Sequence, residues 1–174
     1  MLLRKTIAVM LFCDALCLTA FAENLLENGD FSQWKAKKPV KWSLWSAKGG
    51  AFQLTDAKPD GIRITGCADG SLGQRLKVEA GKTYDVSLTG KLTGGSNLRF
   101  FVRFFDADGK RMSQKKNVFP GRVKDRWETV SVKVAAPEGS SSMLLLIGIK
   151  GQSAQEDSVL LREVAISETG TETK

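Results

Sequence analysis

Twelve residues in the middle of the chain alternate with a period of two and constrain the fold more than any other stretch. They run from Leu98 to Gly109 and read L-R-F-F-V-R-F-F-D-A-D-G. Successive side chains of a strand point to opposite faces of a sheet, so this order predicts one apolar face and one face of alternating Arg and Phe. The apolar set is Leu98, Phe100, Val102 and Phe104, and the outward set is Arg99, Phe101, Arg103 and Phe105. The last four residues, Asp106 to Gly109, predict a hairpin turn.

Short segments with the same period recur along most of the chain. From Glu23 onward no run has helical spacing, and Gly, Asp, Asn and Ser interrupt the segments at short intervals. This pattern is typical of an all-β sandwich or barrel of short strands. Met143 to Ile149 is apolar on both parities and predicts a central strand, and Val159 to Ile166 predicts the closing strand. Ser113 to Val123 is polar and contains Pro120-Gly121, so we expect a long loop there.

The first 22 residues have the pattern of a secretory signal. Two basic residues precede an apolar run from Thr6 to Leu18, and Ala20-Phe21-Ala22 matches a cleavage site. The run is too short and too interrupted for a membrane-spanning helix. We therefore expect a secreted or periplasmic protein with no membrane span. The expected division is a signal peptide at 1–22, one β-sandwich domain at 23–168 and a disordered tail at 169–174.

Charge and residue usage narrow the function classes. Cleavage would remove Arg4, Lys5 and Asp14, which takes the formal charge from +7 to +6 and leaves a basic domain. Such a field favours anionic partners. The chain contains no His, so the commonest general base and the Ser-His and Cys-His pairs are missing. Cys67 would be the one cysteine left, which excludes an internal disulfide and predicts a small buried apolar residue.

Several short motifs follow one another along the chain in a characteristic order. They are N-G-D-F at 28–31, P-x-x-W at 39–42, G-K-T-Y at 81–84, F-x-D-A-D-G at 104–109, W-x-x-V-x-V at 127–132, A-P-E-G-S at 136–140 and E-V-A-I at 163–166. Their order and spacing resemble those of the carbohydrate-binding modules of the family 4/9 type, within the galactose-binding-domain-like β-sandwiches. The resemblance covers almost the whole chain after residue 22. It implies a jelly-roll β-sandwich of two antiparallel sheets with the chain ends close together. In several relatives a concave sheet face binds a glycan.

The resemblance also implies where a structural calcium would lie in such modules. The two positions that carry carboxylates in the family are Ser32 and Arg162 here. A guanidinium cannot ligate a hard cation that requires oxygen donors, and its charge would repel one. We therefore expect no metal and no cofactor, and we expect Arg162 to form a local ion pair or to cap backbone carbonyls.

The outward Arg and Phe residues are the main candidates for a binding site. Sugar rings present flat C–H faces that stack on aromatic rings, and Arg pairs with acidic groups in a bidentate way. The alternative is structural, because a neighbouring loop or the stems of Arg side chains can cover outward rings. The candidate ligand-binding residues are Arg99, Phe101, Arg103, Phe105 and Trp45.

These residues predict a non-catalytic protein that binds an extracellular polysaccharide, acidic in preference to neutral. A structural or adhesive protein-binding module with the same sandwich is the alternative. A polysaccharide lyase or hydrolase is less favoured, since Tyr84 reads as a core residue and no facing pair of carboxylates is evident. We expect no nucleic-acid partner, and the sequence leaves the oligomeric state open.

Overall fold

The structure, a computed structural model, describes residues 23–46, 53–59, 61–118 and 125–169. Within these ranges the regular elements are β-strands, and no helix is present that could cross a membrane. The strands are β1 (Trp34–Lys35), β2 (Lys38–Pro39), β3 (Ser43–Ser46), β4 (Gln53–Asp56), β5 (Ile62–Thr65), β6 (Asp69–Lys77), β7 (Thr83–Thr93), β8 (Asn97–Phe105), β9 (Arg111–Val118), β10 (Glu128–Ala135), β11 (Ser142–Lys150) and β12 (Ser158–Thr169).

Ten of these strands form two antiparallel five-stranded sheets, so the predicted all-β sandwich is confirmed. Sheet I has the order β10-β7-β12-β5-β4, and sheet II has the order β3-β6-β11-β8-β9. The short strands β1 and β2 pair with each other. Each sheet is centred on a strand from the last third of the chain, β12 in sheet I and β11 in sheet II. The expectation that Met143 to Ile149 forms a central strand is therefore confirmed.

The core takes one face of each sheet. Phe100 and Val102 of β8 are fully buried, and their neighbours Leu98 and Phe104 are 2% exposed, as the alternation predicts. Tyr84 on β7 is also buried, and its hydroxyl accepts a hydrogen bond from the backbone N–H of Glu79 (2.9 Å). Among the aromatic residues near the start of the chain, Phe31 and Trp42 lie in the core with ring centroids 5.0 Å apart. These aromatic residues belong to the core. The alternate residues of β8 point to the opposite side and lie on the outer face of sheet II.

An asparagine side chain ties the first described segment to β12. Asn24 Nδ2 donates to the carbonyl of Val164 (3.0 Å), and its Oδ1 accepts from the N–H groups of Ile166 (3.0 Å) and Leu26 (3.1 Å). The N–H of Leu25 donates to the carbonyl of Ile166 (2.7 Å). The side chain thus replaces part of a strand ladder, and it brings the two ends of the sandwich together, as the resemblance implies.

Residues 113–118, expected as part of a loop, belong to the edge strand β9. The backbone of β9 pairs with β8, and the turn before it closes through bonds from the N–H groups of Gly109 and Lys110 to Asp106 (3.1 and 2.8 Å). The hairpin turn is confirmed, but the loop prediction for Ser113 to Val123 is wrong as far as Val118. An edge strand tolerates a polar, lysine-rich sequence because it pairs on one side only. Residues 119–123 lie outside the described residues.

The last strand continues to Thr169, one residue beyond the expected end of the domain. The Thr169 hydroxyl donates to the carbonyl of Thr83 (3.0 Å), which holds this residue on sheet I. The rest of the predicted tail, 170–174, and the predicted signal peptide, 1–22, lie outside the described residues. Both stay predictions.

A buried carboxylate connects the loop before β8 with the loop before β12. Asp157 is 2% exposed, and its Oδ1 accepts from the N–H of Gly95 (2.6 Å). Its Oδ2 accepts from the N–H groups of Ser153 (2.7 Å) and Ala154 (2.8 Å). Gly94 has a φ of 61°, and a Cβ at this position would collide with the Asp157 carboxylate. The loop that leads into β8 is therefore shaped around this one side chain.

Cys67 is a buried apolar residue, as predicted. It is 2% exposed, and its Sγ lies 3.6 Å from the carbonyl oxygen of Ile149. Its backbone N–H donates to Oε1 of the buried Gln152 (2.8 Å). Burial, with a smaller contribution from Asp69, raises the pKa of the Cys67 thiol from 9.0 to about 11.

We expect the stability difference between the native protein and a Cys67→Ala variant to shrink as the pH rises from about 8 to about 10.5. The folded-state pKa lies above the unfolded-state value, so the thiol's contribution is complete below about pH 9 and is lost as the pH approaches about 11. Urea unfolding of both proteins at the two pH values measures the difference. A difference that stays constant would show that the thiol titrates alike in the folded and unfolded states.

Candidate functional site

The register of sheet II aligns one residue from each of four strands on its outer face. Trp45 of β3 pairs with Ser71 of β6, which pairs with Gly148 of β11, and Gly148 pairs with Arg99 of β8. Adjacent strands lie about 4.8 Å apart, so about 14 Å separates the backbones that carry Trp45 and Arg99. Between them the row has only a serine and a glycine. A large side chain therefore stands on each side of a low floor.

Two glycines let the surrounding side chains lie directly on the backbone. A Cβ at Gly148 would be 3.5 Å from both Phe101 Cε2 and Arg99 Cγ. A Cβ at Gly73, one row further along, would be 3.2 Å from Cζ3 of Trp45 and would collide with the carbonyl oxygen of Leu145. The indole of Trp45 and the ring of Phe101 thus approach the floor from opposite sides. Larger residues at either glycine would fill the space or displace a ring.

The result is a groove of about 470 Å³ on the outer face of sheet II. Trp45 is 45% exposed, which is unusual for a large aromatic side chain and leaves one ring open to solvent. We call this concavity the groove throughout. Its lining residues are Trp45, Ser46, Asp69, Gly70, Ser71, Arg99, Phe101, Arg103, Leu146, Gly148 and Lys150.

Two guanidinium groups flank the ring of Phe101. The Cζ atoms of Arg99 and Arg103 lie 5.9 and 5.8 Å from the ring centroid. Arg103 Nε donates to Oε1 of Gln114 on β9 (2.7 Å). Burial and the nearby positive charge of Arg111 lower the pKa of Arg103, but a guanidinium stays protonated at physiological pH. The groove therefore offers an aromatic ring with a cation on each side of it.

Four of the five predicted site residues meet in the groove, and Phe105 does not. Phe105 is 9% exposed, because the guanidinium of Arg75 lies 3.9 Å above its ring centroid. Arg75 Nη1 also donates to Oγ of Ser142 (3.3 Å), which holds the guanidinium in place. The expectation that Phe105 presents an open ring is therefore corrected. An Arg side chain covers it, which is the structural alternative raised by the sequence.

Sequence reasoning missed the floor of the groove. Ser71, Gly73 and Gly148 carry no chemistry that identifies them as site residues, and their role depends on the pairing of β6 with β11. The sequence did contain an indication for Leu146 and Gly148. Both the odd and the even positions from Met143 to Ile149 are apolar, which indicates that side chains cover the outer face of this strand as well as its inner face.

The positions compared with the family's calcium ligands hold a different arrangement. The guanidinium of Arg162 lies 4.2 Å above the ring centroid of Trp127. The expected ion pair or carbonyl cap of Arg162 stays a prediction. Ser32, Lys58, Asp30 and Arg162 contribute to a separate concavity of about 430 Å³. In the part of the chain that the structure describes, no three His, Cys, Asp or Glu side chains cluster in a way that could hold a metal ion. The absence of calcium binding stays a prediction.

The fold is shared by solved structures, although no protein-family model and no curated protein sequence matches the chain. The enzymatically active domain of tailspike protein 4 from bacteriophage CBA120 superposes with a TM-score of 0.65 at 12% identity, over 84% of this chain and 21% of that one. A CBM4 module gives 0.57 at 16% identity, over 82% and 99%. The CBM22-1 xylan-binding domain of Paenibacillus barcinonensis Xyn10C gives 0.56 at 18% identity, over 84% and 95%.

These similarities establish the fold as a β-sandwich of the carbohydrate-binding-module type. The chain spans about a fifth of the tailspike chain but nearly the whole length of the two modules. Most of the similar structures are binding modules, and others are parts of enzymes. The type of sandwich expected from the sequence motifs is therefore confirmed, while the narrower assignment to the family 4/9 type stays a prediction.

Proposed function

We propose that this protein is a secreted, non-catalytic carbohydrate-binding protein whose groove holds an extracellular polysaccharide, acidic in preference to neutral. One observation carries the proposal most directly. The rings of Trp45 and Phe101 stand on opposite sides of a floor made of Ser71 and Gly148, so a flat sugar ring can enter between them and contact Ser71.

The groove supplies the contacts that a sugar requires. The C–H face of a pyranose stacks on an aromatic ring, and the exposed indole of Trp45 and the ring of Phe101 provide two such surfaces. The hydroxyl of Ser71 can exchange hydrogen bonds with ring hydroxyls. The fold is consistent with this use, since the similar structures include a domain whose name states that it binds xylan.

The preference for acidic sugars rests on Arg99 and Arg103. Among the described residues no carboxylate forms an ion pair with either guanidinium. A guanidinium donates two parallel hydrogen bonds to a carboxylate or a sulfate, whereas an ammonium acts as a point charge. An acidic group on a sugar stacked against Phe101 would lie within reach of both Arg side chains.

Replacing Arg99 and Arg103 together by alanine is expected to weaken binding of polygalacturonate about 30-fold at low salt, from about 1 kcal/mol for each partly exposed contact. Binding of the fully methyl-esterified polymer should change little, because its carboxylates carry no charge. The native protein should lose affinity for polygalacturonate as salt is added, and the double variant should lose less. Isothermal titration in a salt series measures both effects.

The matched control is the Arg63→Ala, Lys133→Ala variant, which removes two exposed cations from sheet I and should bind both polymers as the native protein does. A glycan array on the native protein tests the wider proposal. An array with no bound glycan, neutral or acidic, would refute carbohydrate binding and favour the structural or adhesive alternative.

A further inference from the structure

The outer face of sheet II carries seven cationic side chains and one carboxylate. The pairing of the strands places on this face every second residue of β6, β11 and β8, and on β9 a register shift puts Arg111 opposite Phe105. The carboxylate is Asp69. The cations are Lys77 and Arg75 of β6, Lys150 of β11, Arg99 and Arg103 of β8, and Lys116 and Arg111 of β9. This concentration of charge is larger than the groove alone requires.

Most of this charge is not neutralised within the described part of the chain. Lys150 pairs with Asp69, with 2.7 Å between Nζ and Oδ2. The other six cations form no ion pair with a described carboxylate. Where Arg75 and Arg103 donate hydrogen bonds, the acceptors are the neutral oxygens of Ser142 and Gln114.

The outer face of sheet I is organised differently. There Lys133 lies opposite Asp85 in the pairing of β10 with β7, and Glu163 of β12 lies opposite Thr89. Arg63 and Lys91 also lie on this face, both opposite Leu160 of β12. Three cations and two carboxylates thus occupy the paired positions of that face, which leaves it close to neutral, as on an ordinary solvated surface. The excess positive charge of the domain is concentrated on sheet II.

The seven cations follow the strand direction from one end of the sheet to the other. Residues on one face repeat every two positions, about 6.7 Å, so the four steps from the Lys150 row to the Arg111 row span about 27 Å. At the first end a small hollow of about 250 Å³ lies beside the groove, lined by Asn97, Leu98, Arg99, Lys116 and Lys150. At the other end, Arg75, Lys77 and Arg111 lie beyond the groove lining. We call these seven residues the cationic track.

We propose that the bound polymer runs parallel to β8 along the whole cationic track, so that the ligand is a long linear polysaccharide with acidic groups on many of its sugars. This inference rests on the proposed function and goes beyond it, since the groove by itself requires only a short oligosaccharide. The groove stacks one part of the polymer, and the residues past Arg103 hold the acidic groups of the sugars that follow.

A polysaccharide fits the track better than a single-stranded nucleic acid. Binding of successive bases relies on a series of open aromatic rings along the strand path. Beyond Phe101 the next ring on this path is Phe105, and Arg75 covers it. The far half of the track therefore offers charge and hydrogen bonds without stacking surfaces.

The test measures how affinity depends on ligand length. Heparin oligosaccharides from four to ten sugars are titrated into the native protein, a Lys77→Gln, Arg111→Gln variant and a control Arg63→Gln, Lys133→Gln variant with the same change of charge on sheet I. For the native protein the decamer is expected to bind about tenfold more tightly than the tetramer, because it reaches two more cations, Lys77 and Arg111, which contribute about threefold each. The ratio should fall to near one in the Lys77→Gln, Arg111→Gln variant and stay near ten in the control.

Three results would overturn the track. The first is that the native protein does not bind heparin, or binds the tetramer and the decamer equally well. The second is that the ratio of decamer to tetramer affinity is unchanged in the Lys77→Gln, Arg111→Gln variant. The third is that this ratio falls equally in the control variant. Competition by a twenty-nucleotide oligothymidylate that exceeds that of the heparin decamer would assign the track to nucleic acid and would also overturn the proposal. The groove is judged separately, by whether Trp45 and Phe101 matter for neutral glycans.

Discussion

Binding of the best-bound neutral glycan is expected to weaken about 100-fold when Trp45 and Phe101 are both replaced by alanine. A stacked aromatic ring contributes about 1.4 kcal/mol, close to a factor of ten in affinity, and the two rings stand on opposite sides of the groove. Because stacking does not depend on charge, acidic glycans should lose a similar factor at high salt. Calorimetric titration of the native protein, the two single variants and the double variant measures the effect.

The single variants should each lose about tenfold, because each removes one of the two stacking surfaces. Leu25→Ala is the control, since Leu25 is an exposed apolar residue outside the groove. Unchanged affinity in the double variant, with its thermal unfolding within about 2 °C of the native protein, would mean that the rings do not contact the ligand and that the groove is not the binding site.

Replacing Asp157 by alanine is expected to lower the free energy of unfolding by about 3 kcal/mol. Three backbone N–H groups, of Gly95, Ser153 and Ala154, would lose their shared acceptor, at about 1 kcal/mol each. For a chain of this size the melting temperature should fall by about 6 to 12 °C. Denaturant unfolding measures the first value and thermal unfolding the second.

Asp30→Ala is the matched control for Asp157. Asp30 is an exposed loop carboxylate that accepts one backbone hydrogen bond, from the N–H of Ser32 (3.1 Å), so its loss should cost about 0.5 kcal/mol. An Asp157→Asn variant retains one carbonyl oxygen and should be intermediate. If the Asp157→Ala variant is no less stable than the Asp30→Ala variant, water replaces the Asp157 carboxylate. The loops before β8 and β12 would then not depend on this side chain.

The strands that face the core could be predicted from the sequence. In β8 the alternation is strict, because one face meets the apolar interior and the other does not, and the four inward residues are buried as predicted. In β11 the odd and the even positions are both apolar, which indicated a central strand covered on both faces. Each of these predictions depends on whether a side chain faces the apolar interior or the solvent, and this difference is visible in the type of each residue.

The edge of the sheet and the floor of the groove could not be predicted in this way. β9 is polar on both faces, so its composition does not distinguish a strand from a loop, and its pairing with β8 determines its structure. The cover over Phe105 comes from Arg75, thirty residues away in sequence, and only the register of β6, β11 and β8 brings the two together. Such contacts depend on tertiary pairing rather than on local pattern.

The two glycines under the rings have a thermodynamic consequence for recognition. Gly73 and Gly148 lie within the long paired strands β6 and β11, and the rings of Trp45 and Phe101 pack directly on them, so this part of the groove is preorganised. Ligand binding there should order few protein groups beyond the Arg and Lys side chains. The entropy lost on association would then come mainly from the polymer, and stiff chains should be favoured over flexible ones of equal charge.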